Sequence, residues 1–385
     1  ANAKRKSAIS GAGPAGLAAA YFLARLGYHP EVFEAEAEPG GMLVQTIPSY
    51  RLPRKALADE IELIQSMGVK IHCNQRLGRD LQLEDLPQQG YEAVFLAIGA
   101  ANGSKLGLPG DDAAGVVDAM QFLKEFNLSG KTDVGRNVAV IGGGNAAIDA
   151  ARTARRLGAD KVTVVYRRRR NEMPAWDEEI DAMLDEGIAL ETLVAPIGLV
   201  VQNGRVTGLE CQRMELGSYD KSGRRRPTPI KGSTFVMPAD QVIAAIGQSV
   251  DGSFAPDFEL DRNRDGTIQV DSLTGRTSVP WLFAGGDVAT GPASVVEAIA
   301  AGERAAVGID LMFSGEAHAF WRAHDGVDTA FDPDAEPDLT PRADGVELPA
   351  TARKGFEEVE LPWAEQVARC EAHRCLRCDY RESCH

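Results

Sequence analysis

Two stretches of the chain, SAISGAGPAGLAAAYFLARLGYHPEVFEAE and NVAVIGGGNAAIDAARTARRLGADKVTVVYRR, repeat one pattern: apolar strand, glycine turn, amphipathic helix, second strand. Their leading glycines, Gly11 and Gly142, stand 131 residues apart. In the first copy Gly11 permits the tight turn and Gly13 lets the backbone approach a pyrophosphate. Gly16 lets the helix pack on the strand, with Pro14 and Ala15 completing the turn. In the second, Gly142, Gly144, Asn145 and Ala147 occupy the equivalent places. An anion bound at either turn sits at the positive end of a helix dipole. A single glycine turn often does no more than pack a helix. Two copies, each followed by a ribose-reading position, point to two dinucleotide sites and an α/β fold of two Rossmann-like domains.

The copies differ at the end of the second strand. The first carries Glu34, 23 residues after Gly11, whose carboxylate accepts from ribose hydroxyls and repels a 2′-phosphate. The second carries a run of four arginines, of which Arg167 and Arg168 are best placed to fork onto a 2′-phosphate, favouring NADP over NAD. The competing reading of such a run is a solvated face.

At 385 residues and 44% hydrophobic content the chain can bury the cores of more than one domain. A net charge of −15 argues against nonspecific nucleic-acid or membrane binding. No apolar run approaches the roughly 20 residues needed to span a bilayer, and the chain reads as cytoplasmic, where thiols stay reduced. Cys73 and Cys211 are isolated, so no redox dithiol is expected beside a cofactor, and His29 and His72 are given no role.

Two further apolar strands stop at Gly99 and Gly247, and WLFAGGDVATGPASVVEAIAAGERAA carries a third, ending in Gly-Gly-Asp before a helix. Asp287 there can accept from a polyol hydroxyl; its plainer reading is a helix N-cap. Together with GGMLVQTIPSYRLP and VVYRRRRNEMPA, these motifs resemble the small-subunit family of NADPH-dependent glutamate synthase, over about residues 7–310. The resemblance implies an FAD enzyme passing electrons between NAD(P)H and iron-sulfur clusters. It implies that Gly11, Gly13, Gly16 and Glu34 hold the ADP half of FAD and that Gly40, Gly41 and Met42 run along the flavin. Gly286, Asp287, Pro292, Ala293, Ser294 and Val295 would close around its ring, and Gly142, Gly144, Asn145 and Ala147 would hold the nicotinamide cofactor. The NAD(P) domain would be inserted into the FAD domain: residues 1–110 and 284–314 for FAD, 111–283 for NAD(P), with crossings near 105–118 and 280–284, and 315–385 as linker and tail.

The tail holds Cys370, Cys375, Cys378 and Cys384, spaced for one iron-sulfur cluster, for a tetrahedral zinc, or for thiols without a metal. Any cluster is expected there or in another subunit. The resulting expectation is an electron-transfer subunit working with an iron-sulfur protein or the catalytic subunit of a redox complex. The alternatives are a stand-alone flavin reductase of a small organic substrate and a non-redox interaction module with a zinc-bound tail.

Overall fold

The computed structural model describes residues 5–219, 225–255, 258–322 and 341–373. Its first half runs β1 (Lys6–Ser10), α1 (Pro14–Arg25), β2 (Glu31–Phe33), α2 (Met42–Gln45), α3 (Arg54–Ser66), β3 (Lys70–His72), α4 (Asp85–Gln88), β4 (Tyr91–Leu96), β5 (Asn102–Gly103), β6 (Val116–Asp118), α5 (Ala119–Ser129), β7 (Asn137–Ile141), α6 (Asn145–Arg156) and β8 (Lys161–Tyr166). It continues with α7 (Asp177–Asp185), β9 (Ala189–Thr192), β10 (Val194–Gln202), β11 (Arg205–Tyr219), β12 (Arg225–Pro238), β13 (Gln241–Ala244), β14 (Gln248–Ser249), β15 (Leu282–Ala284), α8 (Asp287–Thr290), α9 (Val295–Ser314), β16 (Val346–Glu347), β17 (Glu360–Leu361) and α10 (Glu365–His373).

Two parallel five-stranded sheets result, ordered β15-β4-β1-β2-β3 and β6-β13-β7-β8-β9, so the sequence repeat is a structural repeat with β1 and β7 in matching inner positions. The inner strands are apolar and buried on both faces because each sheet is covered on both sides. On one face of the first sheet Ile9, Leu23, Phe95, Phe283 and Ile309 join α1 and α9 to the strands. These two helices cross closely at Gly302, where a Cβ would collide with the Ala15 carbonyl oxygen and reach within 2.9 Å of the Ala19 nitrogen. The second sheet has α5, α6 and α7 on one face and the antiparallel sheet β10-β11-β12 on the other, with Val194, Leu209 and Cys211 packed under Ile141 and Val165. The long β11-β12 ribbon is not legible in the sequence, since its exposed half carries no apolar alternation.

One expected boundary is corrected. The second crossing lies not at residues 280–284 but at the short ladder pairing Asn102 with Ser249 and Gly103 with Gln248. Phe254, Ala255 and Ile268 pack with Leu77, Leu83 and Val94 on the outer face of the first sheet. Residues 250–255 and 258–282 therefore complete the first domain's core rather than the second's, because that face is apolar and needs covering.

A buried polar cluster ties the domains together. Tyr50 of the first domain lies under the Arg156 and Arg152 guanidinium groups of α6, at 3.9 and 4.7 Å from the ring centre. Arg51 donates from Nη1 to both carboxylate oxygens of Asp149, at 2.9 and 3.0 Å, and its Nε lies 3.0 Å from Glu179. Arg152 bonds Glu179 at 2.6 Å and Glu186 at 2.8 Å. The chain from Arg353 to Val359 straps this cluster: Arg156 donates to the Gly355 carbonyl at 2.6 Å, Ser49 to that of Phe356 at 2.9 Å, and the Val359 amide to that of Tyr50 at 3.0 Å. The Phe356 ring rests 4.4 Å from that of Phe126 on α5.

Candidate functional site: two dinucleotide clefts that meet

The first cleft opens at the end of β1. Gly11, at φ +103°, turns the chain where a Cβ would collide with the Ala97 carbonyl oxygen, and the Gly11 amide donates to Phe33 at 2.8 Å. Gly13 caps α1 with no side-chain acceptor, and nothing lies nearer its missing Cβ than the Gly41 Cα at 3.9 Å. The start of α1 at Gly13, Pro14 and Ala15 thus lines a cavity of about 290 Å³ without a side-chain cap. By contrast, α5 is capped by Asp118 and α9 by Ser294. An uncapped helix start on an open glycine turn fits a diphosphate.

Glu34 closes the floor, its carboxylate accepting the Ala12 amide at 2.7 Å and the Glu36 amide at 2.9 Å. Burial raises its pKa; those two amide bonds pull the other way. Gly40 donates to the Ala12 carbonyl at 2.8 Å, and Gly41 lies so near that its Cβ would stand 2.7 Å from the Gly13 Cα. Gly99, Gly286 and Asp287 complete the wall, joined by Arg76, Arg79 and Phe254, which sequence spacing does not flag.

The second cleft, about 1020 Å³, repeats the design. Gly142 turns against the Ala245 carbonyl as Gly11 does against Ala97, and Gly144 caps α6 with no side-chain acceptor. Ala147 is fully buried under the helix, and Gly247 lines the far wall. The arginine run divides. Arg167 is exposed on the cleft wall and makes no ion pair among the described residues. Arg168 is buried and donates from Nε to the Arg225 carbonyl at 3.0 Å, so it is committed to the antiparallel ribbon. Arg170 pairs with Asp181 at 2.6 Å. Arg51 and Asp149 line the same cleft; burial pushes the Asp149 carboxyl up to about 6, against the pull of Arg51.

Both clefts share Met42, Asp287, Ala293, Ser294 and Val295, so two extended ligands lying in them meet at that wall. Pro292 stands on the second cleft's side. Asp287 does not cap α9. Its Oδ1 accepts the Ala293 amide at 3.3 Å, and burial raises its pKa. Ser294 and Glu297 form a capping box that ties down the start of α9. That box occupies the Ser294 and Glu297 amides, and Val295, the first residue of α9, lines both clefts.

Among the described residues no cysteine lines either cleft: Cys211 is buried in the antiparallel sheet and Cys73 is half-buried beyond β3. Cys370 is exposed on α10; Cys375, Cys378 and Cys384 lie outside the described residues, as does any metal site they form. No helix of the described residues is long and apolar enough to cross a membrane.

A family model described as pyridine nucleotide-disulphide oxidoreductase matches residues 5–302. The chain is 45% identical to "NADP(+)-dependent formate dehydrogenase subunit beta" of Moorella thermoacetica over 97% of its own length, and spans 54% of that subunit. It is 39% identical to "Glutamate synthase [NADPH] small chain" of Escherichia coli over 79% of its length and 68% of the relative's. The structure of Mycobacterium tuberculosis FprA in complex with NADPH superposes with a TM-score of 0.69 at 20% identity, covering 81% of this chain and 85% of that one, which establishes a shared fold. The resemblance drawn from the motifs is borne out, and the doubled Rossmann turn has its explanation: the chain is an oxidoreductase and belongs to the pyridine nucleotide-disulphide oxidoreductase family.

Proposed function

We propose that the chain is a cytoplasmic electron-transfer subunit that holds FAD in the first cleft and NADP(H) in the second, and passes electrons between NADPH and an iron-sulfur centre of a larger enzyme. The observation that carries this reading is the wall common to both clefts at Met42, Asp287 and Ala293 to Val295. A flavin, when bound, accepts hydride from a reduced nicotinamide and can release electrons one at a time. The chain's own part is to bind, align and dry the two rings. The α1 and α6 amides hold the diphosphates, Glu34 takes a ribose hydroxyl, and Asp287 orients the polyol. The apolar faces of Met42, Ala293 and Val295 exclude water where the rings stack. The absence of a thiol from both clefts among the described residues supports an outlet other than a disulfide. The relatives' names as subunits support a partner within a complex.

The purified chain is expected to be yellow and to bleach anaerobically on adding NADPH; a colourless chain, or one indifferent to NADPH, overturns the proposal. Iron and acid-labile sulfide counted per flavin in the native complex test the iron-sulfur outlet, and zinc in their place points to a docking tail. Arg167→Ala is expected to weaken NADPH about tenfold while leaving NADH unchanged, as removal of one charge-assisted phosphate contact should. Equal losses for both nucleotides would remove Arg167 from 2′-phosphate recognition.

A further inference from the structure

We propose that Trp176 is an aromatic wall of the second cleft that lays its indole against a flat ring of the bound nicotinamide dinucleotide, an inference resting on the reading of that cleft as the NADP(H) site. Trp176 lines the cleft with Asn145 and Pro174, yet the residue is 67% exposed. A tryptophan that served the core would be covered, and this ring has no aromatic or cationic partner among the described residues. Local structure does not ask for it either. Trp176 stands at the N-cap of α7, where Ser, Thr, Asp or Asn would satisfy an amide, and its side chain caps nothing.

The backbone that carries it is fixed to the glycine turn. The Ala175 amide donates to the Gly143 carbonyl at 3.1 Å, and the Trp176 amide donates to Asn145 Oδ1 at 3.3 Å. Met173 and Ala175 are buried on either side of Pro174. The indole is therefore presented beside the start of α6, within reach of whatever the uncapped α6 amides hold, and little backbone freedom remains to be lost on binding. A dinucleotide is two flat rings joined by a charged link. The α6 amides and Arg167 answer the charge, and an indole answers a ring by stacking.

The test is NADP⁺ titrated into the FAD-loaded chain, where no electrons move and binding is read by calorimetry and by tryptophan emission. Trp176→Ala is expected to raise the dissociation constant about tenfold or more, the scale of one lost stack, with flavin content unchanged. Trp176→Phe, which keeps a ring, is expected to stay within about threefold of the parent. It is also expected to lose the emission change that NADP⁺ causes in the parent, and this second readout decides the matter if the alanine variant does not fold. An unchanged dissociation constant for Trp176→Ala, or an emission change that survives in Trp176→Phe, overturns the inference and would fit an indole reserved for another protein. Failure of the parent chain to bind NADP⁺ or NAD⁺ at all overturns the reading of the cleft, and this inference with it.

Discussion

Arg152→Ala is expected to cost about 3–5 kcal/mol of stability, because it removes a cation from a site that keeps its anions. The Arg152 side chain is 2% exposed and bonds Glu179 and Glu186, themselves 11% and 4% exposed. With the guanidinium gone, Glu179 retains Arg51 and Glu186 retains Arg156, which places the loss toward the lower end of that range. The ring of Tyr50 would lose one of the two guanidinium groups above it. Replacing the pair together, Arg152→Met with Glu179→Gln, should recover part of the loss, since an uncompensated charge costs more than an absent pair. Urea unfolding measures both variants; a single-variant loss below about 1 kcal/mol would mean that the cluster is hydrated and does not hold the domains.

Gly11→Ala is expected to yield a chain that retains little or no flavin. At φ +103° any Cβ is strained, at a cost of about 1–2 kcal/mol, and here it also meets the Ala97 carbonyl oxygen. Relieving that contact means separating β1 from β4 where Ser10 and Leu96 are paired, at a typical overpacking cost of about 1–3 kcal/mol. The same shift displaces Gly13 and the α1 amides from the cavity. Flavin per chain and the melting temperature report the outcome, and a variant with full flavin and an unaltered melt would show that the turn adapts. Gly144→Ala is the useful contrast: its φ is ordinary, its nearest neighbour is the Pro174 Cγ at 3.9 Å, and its effect should fall on nucleotide binding alone.

Much of this site was legible in the sequence. The two glycine turns, Glu34 at the end of the second strand, the Gly-Gly-Asp strand end and the α/β class all follow from spacing within about thirty residues. Over that range the rise of a strand and the period of a helix fix where each residue points. Arg167 and Arg168 were legible as a pair and separable only in the structure. Alternation along a strand end sends one outward and the other inward, and the inward one finds its acceptor at Arg225 in a ribbon the sequence does not reveal. Trp176 carried no signal beyond being a lone tryptophan after MPA. The expected domain end at 283 failed because this stretch has no strong periodicity, and the place of residues 250–255 and 258–282 is set by the face of the first sheet that they cover.

What the sequence determined by itself is thus the pair of nucleotide-binding turns, because their chemistry is built from neighbours along the chain. Tertiary structure alone decided that the two clefts share a wall, that Tyr50 and Arg51 of the first domain lock onto Arg152, Arg156, Asp149 and Glu179 of the second, and that the segment from Arg353 to Val359 straps the joint. The contacts between the domains and with the strap join residues from 98 positions apart, Arg51 and Asp149, to 307, Ser49 and Phe356. Each depends on desolvated geometry that exists only after both sheets have formed, and no local pattern of residue types encodes it.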